Sequence, residues 1–392
     1  MKKDKPIITI TSMPRWNYFQ WFLLGFYLLA NDGRITLRFK TEIMTKLSTL
    51  TNSKYVLGWK KYFHARDNYN LDGYIDFQGN RKYFTIDSAD APFLFDMKKL
   101  NRVNIYFKMQ CPKEYNPRGF RLTDAVYIPW CDHAHKDSSL LLTERGERKL
   151  CVNLEQYLDK IKPLMIGPRR LARGNSKHAL ITSYQNYLKS QTNNKTKILM
   201  CYFGNSAGPV TTENVISPDW DWEADIIGYY KGKLNHPNEK RYLATKILQS
   251  LGSSYDGRLI TEGHSDTGKS VTHDDLIVPL KDFCDYVSHF QYNLNISGYR
   301  MSIPNRFIES FLVGTAIMTD KLAVKWYKPF DKEVIETVEM GYLPKDQVNW
   351  TQFKEDILYL PNIKTEDIIN EFNKKWEPSV VANYIIHTVL NS

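Results

Sequence analysis

Apolar positions along this chain fall into short runs of two kinds, and their alternation predicts strands interleaved with helices. Residues 7–12 are β-branched and end at Met13-Pro14; residues 16–30 are apolar over a helical length, and Asn31-Asp32-Gly33 stops them. Residues 35–39 alternate as a second strand, so the chain opens β-turn-α-turn-β. Further strands are expected at 55–58, 74–77, 83–86, 103–108 and 126–128, with a hairpin around Gly79-Asn80. A second series starts at 197–203, KILMCYF, a continuous apolar run suited to a central parallel strand. It continues with a helix over 236–251, a strand at 258–261, a helix over 280–289, a strand at 293–296, a helix over 305–313 ended by Gly314, and a strand at 316–318. Helices over 366–373 and 378–390 close it. The stretch 167–196, with Gly and Arg at its start, then a helical patch and an all-polar run at 191–196, reads as the connection between the two series.

This pattern predicts an α/β protein with two Rossmann-like domains. The expected boundaries are 1–175 for the first domain, 176–375 for the second, and 376–392 for a terminal helix. A length of 392 residues, 42% of them hydrophobic, supports two cores. No run of 18 apolar residues is present, and the basic start Met1-Lys2-Lys3-Asp4-Lys5 leads into a strand rather than an apolar signal region. The five cysteines are scattered without paired spacing, which suits reduced thiols. A cytoplasmic protein is expected, peripheral to the inner face of the membrane.

Charge is unevenly spread. Residues 1–175 hold 30 Lys and Arg against 17 Asp and Glu, a balance of +13; the chain totals of 53 and 43 leave 23 against 26, or −3, for the rest. The first half is therefore expected to meet something anionic, such as a phospholipid surface or a lipid-diphosphate acceptor.

The richest stretch chemically is YNLNISGYRMSIPNRFIESFLVGTAIMTD, residues 292–320. Pro304 and Asn305 suit the first turn of a helix, whose unpaired N–H groups attract anions, and Arg306 adds a fork that matches a phosphate. Glu309 sits one turn on, on the same side. A cation over phosphates and a carboxylate near ribose hydroxyls are what a nucleoside diphosphate needs at the carboxyl ends of an open sheet.

On Gly298, Arg306, Glu309, Gly314 and the strand at 316–318, the chain from Lys195 onward resembles the donor-binding half of GT-B glycosyltransferases, loosely the exostosin-like branch. The resemblance implies a GT-B-like arrangement, with the two Rossmann-like domains facing across a cleft, 1–175 binding the acceptor, 176–375 the nucleotide sugar, and the helix of 376–392 crossing back to the first domain. It implies a glycosyltransferase that takes a nucleotide sugar as co-substrate, with no other cofactor, and a glycan or lipid-linked acceptor in polysaccharide or lipopolysaccharide synthesis. Gly298, Asn305, Arg306 and Glu309 would line the donor. Lys233, Lys240 and Arg241, near a helix start, would neutralise the departing diphosphate without a metal, and Lys269 would reach a phosphate. Across the cleft, Asp87 or Asp90 is the candidate general base, with Arg15 and Lys108 on the acceptor side.

Three other patterns compete. Residues 263–270 match the phosphate-loop pattern GxxxxGK[ST], which would make an ATP- or GTP-binding protein. Asp219-Trp220-Asp221 is a D-x-D, but no apolar strand leads into it, and Cys131-Asp132-His133-Ala134-His135 lacks a second ligand cluster. No metal site is expected. The basic first half also fits a nucleic-acid-binding or DNA-modifying protein.

Overall fold

The computed structural model describes residues 5–13, 17–40, 70–88, 94–113, 121–123, 126–127, 148–150, 154–169, 171–172, 174–190, 198–206, 237–261, 264–265, 280–297, 303–322, 324–337, 340 and 348–392. Two six-stranded sheets organise them, and the protein is mixed α/β with mostly parallel pairing.

The first sheet comprises β1 (Ile7–Ser12), β2 (Thr36–Phe39), β3 (Asn70–Phe77), β4 (Asn80–Asp87), β5 (Ile105–Lys108) and β6 (Ile161–Pro163), in the order β6-β5-β4-β3-β1-β2. Five strands run parallel to one another; β3 alone is reversed, pairing antiparallel with both β1 and β4. The reversal follows from the hairpin: Phe77 pairs with Asn80, so the loop is Gln78-Gly79, and both have positive φ, +49° and +79°. That is the turn whose twist matches its strands.

Helix α1 (Gln20–Asn31), buried along Trp21, Phe22, Leu24, Phe26 and Leu29, covers this sheet. Short helix α2 (Met97–Arg102) is capped by the Asp96 side chain, which accepts from Lys99 N at 3.1 Å. Helix α3 (Lys177–Ser190) lies against α1, with the Tyr184 ring edge-on to Trp21 at 5.6 Å. Residues 177–190 thus pack on α1, the helix that covers the first sheet.

The second sheet holds β7 (Ile198–Ser206), β8 (Tyr255–Thr261), β9 (His264–Ser265), β10 (Phe290–Asn295), β11 (Ala316–Thr319) and β12 (Val334–Glu336), ordered β9-β8-β7-β10-β11-β12. All are parallel except the short edge strand β9. The strand order reverses at β7, with β8 on one side and β10 on the other, the place where open sheets of this kind carry ligands. Helices α4 (Pro237–Ser250), α5 (Leu280–Val287) and α6 (Arg306–Phe311) connect these strands; α7 (Trp350–Leu358), α8 (Thr365–Lys375) and α9 (Pro378–Leu390) follow.

Helix α9 lies on α1, β3 and β4. Gly25 of α1 permits the contact, because a Cβ there would collide with the Pro378 carbonyl oxygen and the Ala382 Cβ. Trp21 Nε1 donates to Trp376 O at 2.9 Å, and Tyr384 Oη to Pro163 O at 3.1 Å. The sheets are also joined near their carboxyl ends. Gln110 exchanges two hydrogen bonds with the Ile303 backbone, at 2.9 and 3.0 Å, and Cys111–Pro112 pairs antiparallel with Val324–Lys325. No helix among the described residues is long and apolar enough to cross a membrane.

Candidate functional site

The carboxyl end of the second sheet gathers charge from four elements. Lys240 and Arg241 come from the first turns of α4, Arg306 opens α6, Tyr202 stands on β7, and Asp320 follows β11. Lys240 is 1% exposed, Tyr202 0% and Asp320 1%.

The Arg306 side chain is only partly covered, yet its Nη1 is shut off from solvent and has no hydrogen-bond partner among the described residues. The Tyr202 hydroxyl is likewise buried and unpartnered there, facing the guanidinium, whose Cζ lies 6.0 Å from the Tyr202 ring centroid. Burial pushes the Arg306 pKa down, and the Arg241 and Arg169 charges push the same way.

Asp320 sits in a hydroxyl and amide cradle. Ser297 N donates to its Oδ1 and Oδ2 at 3.1 and 3.3 Å, Ser297 Oγ to Oδ1 at 2.7 Å, and Thr319 Oγ1 to Oδ1 at 3.3 Å. Asn295 Nδ2 in turn holds Thr319 Oγ1 at 2.9 Å. Burial raises the Asp320 pKa, while Ser297 and the Lys240 charge draw it back. Lys240 Nζ donates to Met340 O at 3.3 Å; burial brings its pKa down to about 8, against the pull of Asp320. Cations therefore outnumber carboxylates in this group of described residues, in a place where solvent screens them little. Such an arrangement attracts a multiply charged anion.

The structure brings Arg306, Lys240 and Arg241 together. It treats Glu309 and Asn305 differently. Glu309 is fully buried, and its carboxylate, expected on ribose hydroxyls, is instead engaged by the chain after the first sheet: Arg169 N donates to Oε1 at 2.9 Å, and Arg169 Nε and Nη2 reach Oε1 and Oε2 at 3.4 Å each. The Glu309 charge is the first cause of a raised Arg169 pKa, opposed by burial. Asn305 does not cap α6; its Nδ2 donates to Gly167 O. With only six residues in α6, the cationic side chains, more than a helix end, make this region anion-attracting.

On the first sheet, two expectations fail. Asp87 and Lys108 are opposite one another in the β4–β5 register, both 0% exposed, with Lys108 Nζ 2.9 Å from Asp87 Oδ2 and Tyr106 Oη donating to the same oxygen at 2.6 Å. A carboxylate sealed in an ion pair is not a base for an incoming acceptor, and the lysine does not line a surface. Arg15, Asp90, Lys233, Lys269 and Gly298 lie outside the described residues, as do the strand expected at 55–58, the D-x-D at 219–221 and the Cys/His stretch at 131–135.

The phosphate-loop pattern loses its setting at its first residues. His264 and Ser265 turn back antiparallel onto Thr261 and Ile260, a hairpin at the end of β8, and the rest of the pattern, Lys269 included, lies outside the described residues. The acidic trio Asp331, Glu333 and Glu371 is filled by the Lys375 ammonium, at 2.8, 3.0 and 2.8 Å, and Trp376 Nε1 donates to Glu333 at 3.0 Å. It is a packing network in which the lysine stands where a metal would.

Sequence reasoning missed Tyr202 and Asp320. Asp320 was within reach, since it directly follows an apolar strand of a parallel sheet. Neither a protein-family model nor a curated protein matches this chain.

Proposed function

We propose that the protein is a GT-B-like glycosyltransferase, with two Rossmann-like domains facing across a cleft, that moves a sugar from a nucleotide-sugar donor to a glycan or glycolipid acceptor. The observation that carries this reading is the buried Nη1 of Arg306, without a hydrogen-bond partner among the described residues, beside Lys240 and Arg241 at the carboxyl ends of parallel strands where their order reverses. A buried donor left without a hydrogen bond is costly, and an anion seated there would repay that cost. A diphosphate fits, because its charge grows as the sugar departs and fixed cations favour that state over the bound donor. Such neutralisation needs no divalent cation.

A thermal-shift screen of UDP, GDP, CDP, ADP and their sugars, repeated in EDTA, tests the reading. One nucleotide family should raise the melting temperature; at 100 times its Kd the gain is about 2.7 kcal/mol. Arg306→Ala should abolish that shift while leaving the unliganded protein at least as stable. No shift with any nucleotide, or a full shift in Arg306→Ala, would overturn it.

A further inference from the structure

Tyr202 is fully buried in the middle of β7, and its hydroxyl is the part of it that packing does not explain. A buried phenol ordinarily finds a hydrogen-bond partner, and one shut off without a partner costs stability. The Tyr202 hydroxyl has none among the described residues, and neither has the equally buried Nη1 of Arg306, whose Cζ lies 6.0 Å from the centroid of the same ring. Two donors from different elements, β7 and α6, thus stand side by side without bonding each other. Gly204 accounts for where the hydroxyl lies. Residues 202 and 204 share a face of the strand, and a Cβ at Gly204 would come within 2.7 Å of Cε1, Cζ and Oη of Tyr202. The ring therefore lies over the glycine, and carries its hydroxyl towards the carboxyl edge of the sheet at the strand where the order reverses. Burial raises the Tyr202 pKa against the pull of Arg241 and Arg306, so the hydroxyl keeps its proton and stays a donor.

We propose that Tyr202 is a further ligand-binding residue of this site: its hydroxyl and the Nη1 of Arg306 donate to one phosphoryl group of the bound ligand. The proposal rests on reading this end of the sheet as an anion site, but not on the anion's being a nucleotide sugar. A planar carboxylate is matched by a single guanidinium fork, whereas the oxygens of a tetrahedral phosphoryl group diverge, so a donor from a strand and a donor from a helix can each take one. A ligand held in this way satisfies both buried donors at once. A phenylalanine at 202 would fill the same space over Gly204 and leave one phosphoryl oxygen without its donor.

The test uses inorganic pyrophosphate, with binding to the full chain measured by calorimetry at neutral pH and melting followed without ligand. Tyr202→Phe should bind pyrophosphate about 10- to 100-fold more weakly, the worth of a hydrogen bond to a charged group. The same variant without ligand should melt no lower than the parent, because its missing hydroxyl leaves no partner behind. Gly204→Ala, which keeps the hydroxyl but forces the ring aside, should weaken pyrophosphate binding as well. Parent-like affinity in either variant would overturn the proposal, and so would an absence of pyrophosphate binding in the parent. A lower melting temperature for unliganded Tyr202→Phe would also overturn it, since the hydroxyl would then be bonded within the protein. Weakened pyrophosphate binding in Tyr202→Phe, with no response of the parent to any nucleotide, would retain this proposal and sink the glycosyltransferase reading. A nucleotide shift lost in Arg306→Ala but untouched in Tyr202→Phe would do the reverse.

Discussion

The carboxyl ends of the two sheets carry the same residue types and use them in opposite ways. On the first sheet, Lys108 faces Asp87 across adjacent parallel strands, a tyrosine hydroxyl donates to the same carboxylate oxygen, and all three side chains are sealed from water. On the second, Lys240, Arg241 and Arg306 gather near the buried Asp320, and the Nη1 of Arg306 has no hydrogen-bond partner among the described residues. A closed pair contributes to structure and has nothing to offer a ligand. An imbalance of buried charge costs stability and offers affinity. Position in the fold therefore marks where a site can be, and charge balance decides whether it is one.

The largest expected effect is on the closed pair. Lys108→Met should cost about 3–5 kcal/mol in urea denaturation by stranding the Asp87 carboxylate, and adding Asp87→Leu should restore most of it. Equal stability of parent and single variant would mean that the pair is not the closed unit described. A smaller effect falls on Glu309→Gln, which should lose about 1–2 kcal/mol by weakening the Arg169 clasp. It should shift nucleotide affinity by less than about threefold, under 1 kcal/mol. A collapse of affinity in that variant would instead return Glu309 to the ribose.

A more gradual effect, spread over a pH range, concerns the pH dependence of stability. The Lys240 pKa is lowered by folding, from 10.5 to about 8, so the unfolded chain binds more protons between those values and the native protein gains stability as pH rises through that window. The gain is at most about 1.4 kcal/mol per pH unit. Lys240→Met should lack it, so its stability relative to the parent should decline from pH 8 to 10. Parallel stability curves for the two proteins over that interval would contradict the buried, shifted lysine.

What could be read from the sequence was local. The continuous apolar run at 197–203, the stop at Asn31-Asp32-Gly33 and the Gly79 hairpin each report their own backbone, and β7, α1 and the β3–β4 turn appear where they should. Arg306 and Glu309 were correctly put on one short helix, but their fates differ for reasons no window contains: Glu309 meets Arg169, 140 positions earlier, while the Nη1 of Arg306 has no hydrogen-bond partner among the described residues. Asp87 looked like a loop carboxylate because its partner, Lys108, becomes its neighbour only through the register of β4 and β5. The reversed β3 was also out of reach, since alternation signals a strand but not its direction. Strand β6, three residues long, was not anticipated either, whereas helix α3 appears where a helical patch is expected within the connection.

Gly25 has a bearing on the order in which the molecule is assembled. By giving up its side chain it lets α9 settle on α1, so the first sheet's covering layer is completed by residues synthesised some 350 positions after α1 begins. A nascent chain emerging amino end first must therefore keep the apolar flank of α1 uncovered, or shielded by a chaperone, until Pro378–Leu390 has left the ribosome.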